Sequence, residues 1–119
     1  GKSLSRSITN QKLKFNAGER LPYIDAYNST NKFYELFKDA SFHLLYIGNS
    51  KLNSETQNTI NKTYSFPVKI IEQNLTESWK KLGVSDPLFI LVRPDNYMAF
   101  ISDSFDENEM KNYLKKYYN

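Results

Sequence analysis

The stretch PLFILVRPDNYMAFIS, residues 87–102, decides how the rest of the chain is read. Two apolar runs, LFILV and YMAFI, flank the polar connection Arg93-Pro94-Asp95-Asn96. Pro94 fixes φ near the value that the second residue of a type I turn needs. Asp95 and Asn96 tolerate the bridge and left-handed conformations that follow, so the segment predicts a β-hairpin. Each arm holds five largely apolar residues in a row instead of an alternation. Both faces are therefore expected to be covered, as in the middle of a sheet with helices on either side.

Working outward, Phe42–Ile47 (FHLLYI) is a short apolar run ended by Gly48-Asn49-Ser50, which predicts a buried central strand. Phe66–Ile71 predicts another. Between them, Ser54 with Gln57 reads as a capping box for a weakly amphipathic helix reaching Tyr64, with Ile60 and Tyr64 as its apolar pair. Upstream, Phe33, Leu36, Phe37 and Ala40 fall at i, i+3, i+4 and i+7 on one helical face, with Thr30 or Asn31 as N-cap. Leu75, Trp79 and Leu82 define a third helix that Gly83 ends. Asp106 with Glu109 caps a last helix, whose Met110, Tyr113, Leu114 and Tyr117 form a stripe while Lys111, Lys115 and Lys116 face out. Tyr23–Tyr27 is expected as a first short strand, with Leu21 biased away from helix by Pro22.

Residues 1–16 are polar and basic, with isolated apolar residues, and read as a linker or as an arm crossing a neighbouring domain. Residues 17–119 are the domain. Gly1 reads as a tag remnant, and an opening in KSLSRSITNQK as that of a piece of something longer. The element order is strand, helix, strand, helix, strand, helix, strand, strand, helix, which implies a mixed central sheet with helices on both faces. A terminal antiparallel hairpin followed by a closing helix is the thioredoxin-like arrangement, and that α/β fold is the expectation.

Composition narrows the chemistry. A chain of 119 residues with 39% hydrophobic and 24% charged residues makes one globular domain with no room for a second core. The net charge of +3 is spread over scattered lysines, not the concentrated stripe that nucleic acid requires. There is no cysteine and a single histidine, which removes disulfides, thiol redox chemistry and Cys or His metal clusters. No apolar run approaches a membrane span. The sequons at Asn28, Asn61 and Asn74 are those that an Asn-rich composition yields by chance, so a cytoplasmic, bacterial setting is expected.

In this fold the reactive site follows the first core strand, here Gly48-Asn49-Ser50-Lys51-Leu52-Asn53, where no thiolate is available. The proline that the fold often holds cis before its hairpin corresponds to Pro87. It is either a cis proline exposing a backbone edge to a partner peptide or an ordinary trans proline. His43, inside an apolar strand, is a core histidine, one facing a neighbouring domain, or an acid–base or ligand group. Arg93 with Asp95 is a turn brace or an exposed binding pair. Trp79 and the Tyr-rich last helix belong to the core or to an interface, with Tyr118, off the stripe, as the better interface candidate.

Two motifs carry a family resemblance. Gly18-Glu19-Arg20-Leu21-Pro22, followed about twenty residues on by Phe42-His43-Leu44-Leu45-Tyr46-Ile47-Gly48, resembles the G-x-R-x-P … f-x-L-L-x-x-G pattern. That pattern opens the C-terminal domain of class A FAD-dependent aromatic hydroxylases of the phenol hydroxylase and pentachlorophenol monooxygenase type. Leu91–Phe100, LVRPDNYMAF, resembles that domain's L-V-R-P-D-G-Y-V-A-W, with Asn96 in place of Gly and Phe100 in place of Trp. The resemblance covers residues 16–118. It implies a thioredoxin-like domain without active-site cysteines, packed on the FAD and substrate domains of the parent chain or at a homodimer contact. The parent would use FAD and NAD(P)H to insert oxygen into an aromatic ring. No catalytic, cofactor-binding or metal residue of that reaction falls in this chain; Gly18, Arg20, Pro22, Pro87, Arg93, Pro94 and Asp95 are its structural motif residues. The alternative is a stand-alone, redox-inactive thioredoxin-like module that binds peptides near Pro87.

Overall fold

The computed structural model describes residues 5–24, 32–63, 68–105 and 107–118. Along them run β1 (Arg6–Ile8), α1 (Lys32–Glu35), β2 (Phe42–Gly48), α2 (Ser54–Thr63), β3 (Val68–Asn74), α3 (Glu77–Lys81), β4 (Leu88–Val92), β5 (Met98–Ser102) and α4 (Glu107–Tyr118). The strands form one open mixed sheet in the order β1-β5-β4-β2-β3. β4 is antiparallel to both its neighbours, β2 pairs parallel with β3, and β1 pairs parallel with β5.

The hairpin forms as its turn residues dictate. Arg93 N–H donates to the Tyr97 carbonyl and Asn96 N–H to the Arg93 carbonyl, both at 2.9 Å. Asn96 takes the left-handed conformation, φ 67°, that Asn accepts more readily than other side chains. Every residue of β4 and β5 is buried, so both faces of these strands are covered as expected; the second arm, expected to begin at Tyr97, begins at Met98, and Tyr97 is 37% exposed. Leu45, Ile47, Leu88, Ile90 and Val92 point into one cluster with Phe15, Phe33, Phe37 and Trp79. Phe42, Leu44, Tyr46, Phe89 and Leu91 point into the other with Phe100, Ile60 and Met110. The pairing Leu91↔Phe100 followed by Val92↔Met98 leaves Ala99 as the extra residue of a bulge. The inward alternation of β5 slips there: Met98 joins the first cluster, and Ala99 and Phe100 the second.

Several local expectations need correction. The first strand is β1, inside the basic lead; Tyr23 and Ile24 carry no strand, and residues 25–27 lie outside the described residues. α1 is a single turn, and of its expected face only Phe33 and Phe37 are buried, Leu36 being 44% exposed. The α2 cap sits one residue earlier than the sequence implied. Asn53 Oδ1 accepts the Thr56 N–H at 2.7 Å, while Gln57 reaches the Leu52 carbonyl instead of a capping amide; Asn is as good an N-cap as Ser. The Asp86–Pro87 bond is trans. Thr30, Asn31, Tyr64, Phe66 and Asp106, and the side chains of Tyr113, Leu114, Tyr117 and Tyr118, lie outside the described residues. α3 ends as expected. Gly83 (φ 93°) donates to the Lys80 carbonyl and Val84 to the Trp79 carbonyl, a Schellman pattern that joins Val84 to Trp79 in the core.

Residues 5–17 are an arm laid on their own domain. Phe15 is buried beside Trp79, the Lys14 amide donates to the Leu82 carbonyl at 2.8 Å, and the Lys12 carbonyl lies against Gly83. The exposed Arg6–Glu109 ion pair contributes at most about 1 kcal/mol. Burying Phe15 contributes roughly 2 kcal/mol, so packing holds the arm more than charge does. Among the described residues no helix is long and apolar enough to cross a membrane.

Gly83 is where the arm meets α3: a Cβ there would lie 2.1 Å from the Lys12 carbonyl, on backbone already in the glycine region. Gly83→Ala is expected to destabilise the fold by roughly 2 kcal/mol or more. A thermal melt checks this, and a melting temperature equal to that of the parent would show that the arm does not seat there.

Candidate functional site

Two surface features lie at opposite ends of the central strands. The first is an open groove of about 520 Å³ where β2 runs out and α2 begins, closed on its far side by Pro87 and by the segment after β5. Gly48 is the last residue of β2, and the Tyr46 side chain folds over it, where a Cβ would collide with the Tyr46 ring and hydroxyl. Tyr46 then stacks at a tilt on Phe89, ring centres 4.9 Å apart, and Phe89 meets Phe105 at 6.2 Å. These rings line the groove, while Ser50, Lys51, Asn53 and Asp103 supply polar groups.

One wall of this groove is held by a residue that pattern reading passed over. Gln11 accepts the Ser85 and Asp86 amides at 2.9 and 3.2 Å, and donates to the Pro87 carbonyl at 3.3 Å and to Asp103 Oδ1 at 2.8 Å. Thr9 Oγ1 donates to the same carboxylate oxygen at 2.6 Å. The loop before β4 is thus fastened by the arm. A single glutamine in a polar stretch gives no sequence signal for this; its partners lie more than seventy residues away.

Pro87 does line the groove together with Ser50–Asn53, so the structure brings those expected neighbours together. Its lining offers hydrogen bonding, apolar contact and the charged groups of Lys51, Glu55 and Asp103. The chain has no thiol to act as nucleophile or redox centre, and among the described residues no group of three His, Cys, Asp or Glu stands in metal-binding arrangement.

The second feature is built where residues 18–21 meet the hairpin. Gly18 N–H donates to the Met98 carbonyl at 2.7 Å, Met98 N–H to the Glu19 carbonyl at 2.8 Å, and Leu21 N–H to the Asn96 carbonyl at 2.8 Å. Arg20 pairs across from Tyr97. The Arg20 and Arg93 guanidiniums lie 5.7 and 5.6 Å from the Tyr97 ring centre, within cation–π range. Arg93 also pairs with Asp95 Oδ2, while Asp95 Oδ1 accepts the Tyr97 amide at 3.2 Å. Arg20, Arg93 and Asp95 are therefore drawn together, with Gly18 at the start of the pairing, φ 92°, and Pro94 in the turn. Pro22 follows directly after the paired segment.

His43 and Trp79, for which the sequence left both a core and an interface reading open, are core residues. His43 is 1% exposed and Trp79 fully buried. Trp79 is wedged edge-on between Phe15 and Phe33; its indole N–H has no hydrogen-bond partner among the described residues. Phe37 covers the His43 ring edge-on at 5.1 Å. Asp39 Oδ1 lies 2.9 Å from His43 Nε2, close enough for ion pairing but not aligned as a hydrogen bond, and the other Asp39 oxygen meets Lys69. Burial dominates and pushes the imidazole below its ordinary 6.5, with Asp39 opposing. Asp39, itself at the surface, is held below its ordinary 3.8 chiefly by Lys69.

No family model, no curated protein and no solved structure matches this chain.

Asp95→Ala removes both the Arg93 pair and the acceptor for the Tyr97 amide, and is expected to destabilise by about 1 kcal/mol; an unchanged melt would remove its role as a brace. His43 gives a pH dependence of definite sign. Its folded-state value is depressed, so the unfolded chain takes up the proton first as pH falls. Stability is full above the unfolded value and declines as pH drops through it. Urea unfolding from about pH 7.5 to about pH 5.5 should show this decline, and His43→Gln should flatten it. A native protein with no change over that interval would contradict the assignment.

Proposed function

We propose that the chain is a redox-inactive thioredoxin-like domain, the non-catalytic C-terminal module of a FAD- and NAD(P)H-dependent aromatic-ring monooxygenase. Its work is stability and contact with the preceding FAD and substrate domains, or between subunits of a homodimer, in a cytoplasmic bacterial enzyme. The observation that carries this reading is the junction between the two resembling motifs. Gly18–Leu21 and the Arg93–Met98 turn are separated by more than seventy residues, yet they exchange three backbone hydrogen bonds and share the Tyr97 ring. Motif residues that brace one another have a common structural purpose, as the resemblance implies. The sheet order supports the fold assignment, because the β-hairpin lies beside the β2–β3 parallel pair with β4 antiparallel to the rest.

A second reading, a free-standing peptide-binding module, is favoured by the aromatic-lined groove at Ser50–Asn53 and Pro87. Both readings share the absence of redox work, since cysteine is absent from the chain. In the first, FAD and NAD(P)H bind elsewhere in the parent.

The readings separate on the native protein. Isolated from its source with an antibody to this domain, it is expected to be a yellow polypeptide several times heavier than 14.0 kDa. A colourless product near that mass would overturn the monooxygenase reading. The chain alone should show no flavin absorbance near about 450 nm after FAD addition and dialysis, and no disulfide reductase activity.

A further inference from the structure

Exposed large apolar residues are few among the described residues, and Tyr97 at 37%, Tyr23 at 45% and Leu36 at 44% are three of them. Tyr97 lies against Arg20, and Tyr23 follows Arg20 three residues on. The Tyr23 ring packs on Tyr34 with centres 5.3 Å apart, and Tyr34 donates its hydroxyl to the Leu21 carbonyl at 3.3 Å. Arg20 acts electrostatically on the Tyr34 phenol on one side and lies over Tyr97 on the other. Beyond Tyr97 stands Arg93, paired with Asp95. Tyr23 with Tyr34, and Tyr97 with Arg20 and Arg93, are thus attached to one segment and form a Tyr/Arg strip, fixed to the sheet by the backbone pairing of residues 18–21 with 96–98.

The charges on this strip do not balance. Arg20 is exposed and has no carboxylate within ion-pair distance among the described residues. Its neighbour Glu19 is turned to the Asn16 amide, which its Oε1 accepts at 2.7 Å. A ring contact engages a guanidinium without using up its N–H donors, so those donors stay available for a carboxylate. Tyrosine and arginine are also side chains that interfaces concentrate: tyrosine buries a rigid ring beside a hydroxyl, and arginine presents a planar fork of donors.

We propose that this Tyr/Arg strip is a docking surface for an acidic segment of a partner protein, one that sets a carboxylate on Arg20 and apolar or aromatic side chains on Tyr97 and Tyr23. The assignment holds whether or not the domain belongs to a monooxygenase. It concerns the end of the sheet away from the groove at Pro87.

Nuclear magnetic resonance titration of the isotope-labelled chain with the peptide EELEEY tests it. The peptide is expected to shift the amides of residues 18–21 and 93–98, and to bind more weakly as salt is added. Arg20→Gln should weaken binding about tenfold, the loss of one charge-assisted contact, while its amide spectrum remains that of the folded chain. Tyr97→Leu should weaken it as well, and the charge-reversed peptide KKLKKY should not bind. Absence of shifts up to about 1 mM peptide, shifts confined to other residues, or Arg20→Gln binding as tightly as the parent would each overturn the proposal. Tighter binding of a single-stranded oligonucleotide to the same residues would also overturn it, in favour of a nucleic-acid partner.

Discussion

The structure rests on the burial of β4 and β5 from both sides. An antiparallel pair of strands has hydrogen bonds to satisfy its backbone, but a hairpin alone is marginal in water. Here all ten strand residues are removed from solvent. At roughly 1.5–3 kcal/mol for each large apolar side chain, this burial outweighs any surface pair the protein makes. It also dictates the other elements. A sheet apolar on both faces needs cover on both faces, and the two clusters divide that work. α1 with the turn that follows it, α3 and the arm supply Phe33, Phe37, Trp79 and Phe15 on one side, and α2 and α4 supply Ile60 and Met110 on the other.

The same constraint locates the two surface features. Because β4 lies between β2 and β5, the loops at one end of the sheet bring Gly48–Asn53 beside Pro87, and the turn at the other end presents Tyr97 to the lead segment. Gln11 and Arg20 sit at these two ends and act differently. Gln11 is satisfied four times over by groups of the domain and serves to hold a loop. Arg20 is exposed and keeps donors in reserve.

Much of this was legible in the sequence where local chemistry is strong. Pro94-Asp95-Asn96 and Gly83 have few comfortable conformations, and the apolar arms between such turn signals ask for cover on both faces; the structure meets these demands. Legibility failed where a distant partner decides. β1 is a strand because β5 offers it an edge; its three residues, RSI, carry no β pattern of their own. Leu36 and Ala40 have helical spacing, but the helix ends after one turn, so the face they would share is never completed. Asn53 and Ser54 are comparable caps, and composition alone does not choose between them. At the candidate site, the residue types at positions 48–53 excluded thiol chemistry from the outset, whereas the fastening by Gln11 depends on contacts across the whole chain. His43 and Trp79 have the polarity of interface residues and the burial of core ones, since the aromatic cluster around them has room for both rings.

Amide hydrogen exchange tests most directly the claim that everything is built on the hairpin. The amides of Ile90, Leu91 and Phe100, with that of Leu45 across from Ile90, should exchange only through global unfolding and share one opening free energy. The amide of Leu21, bonded to the Asn96 carbonyl, should open earlier, since its segment covers the hairpin and does not form it. Exchange of the hairpin amides at the rate of Leu21, or before it, would contradict this order and place the organising core elsewhere in the sheet.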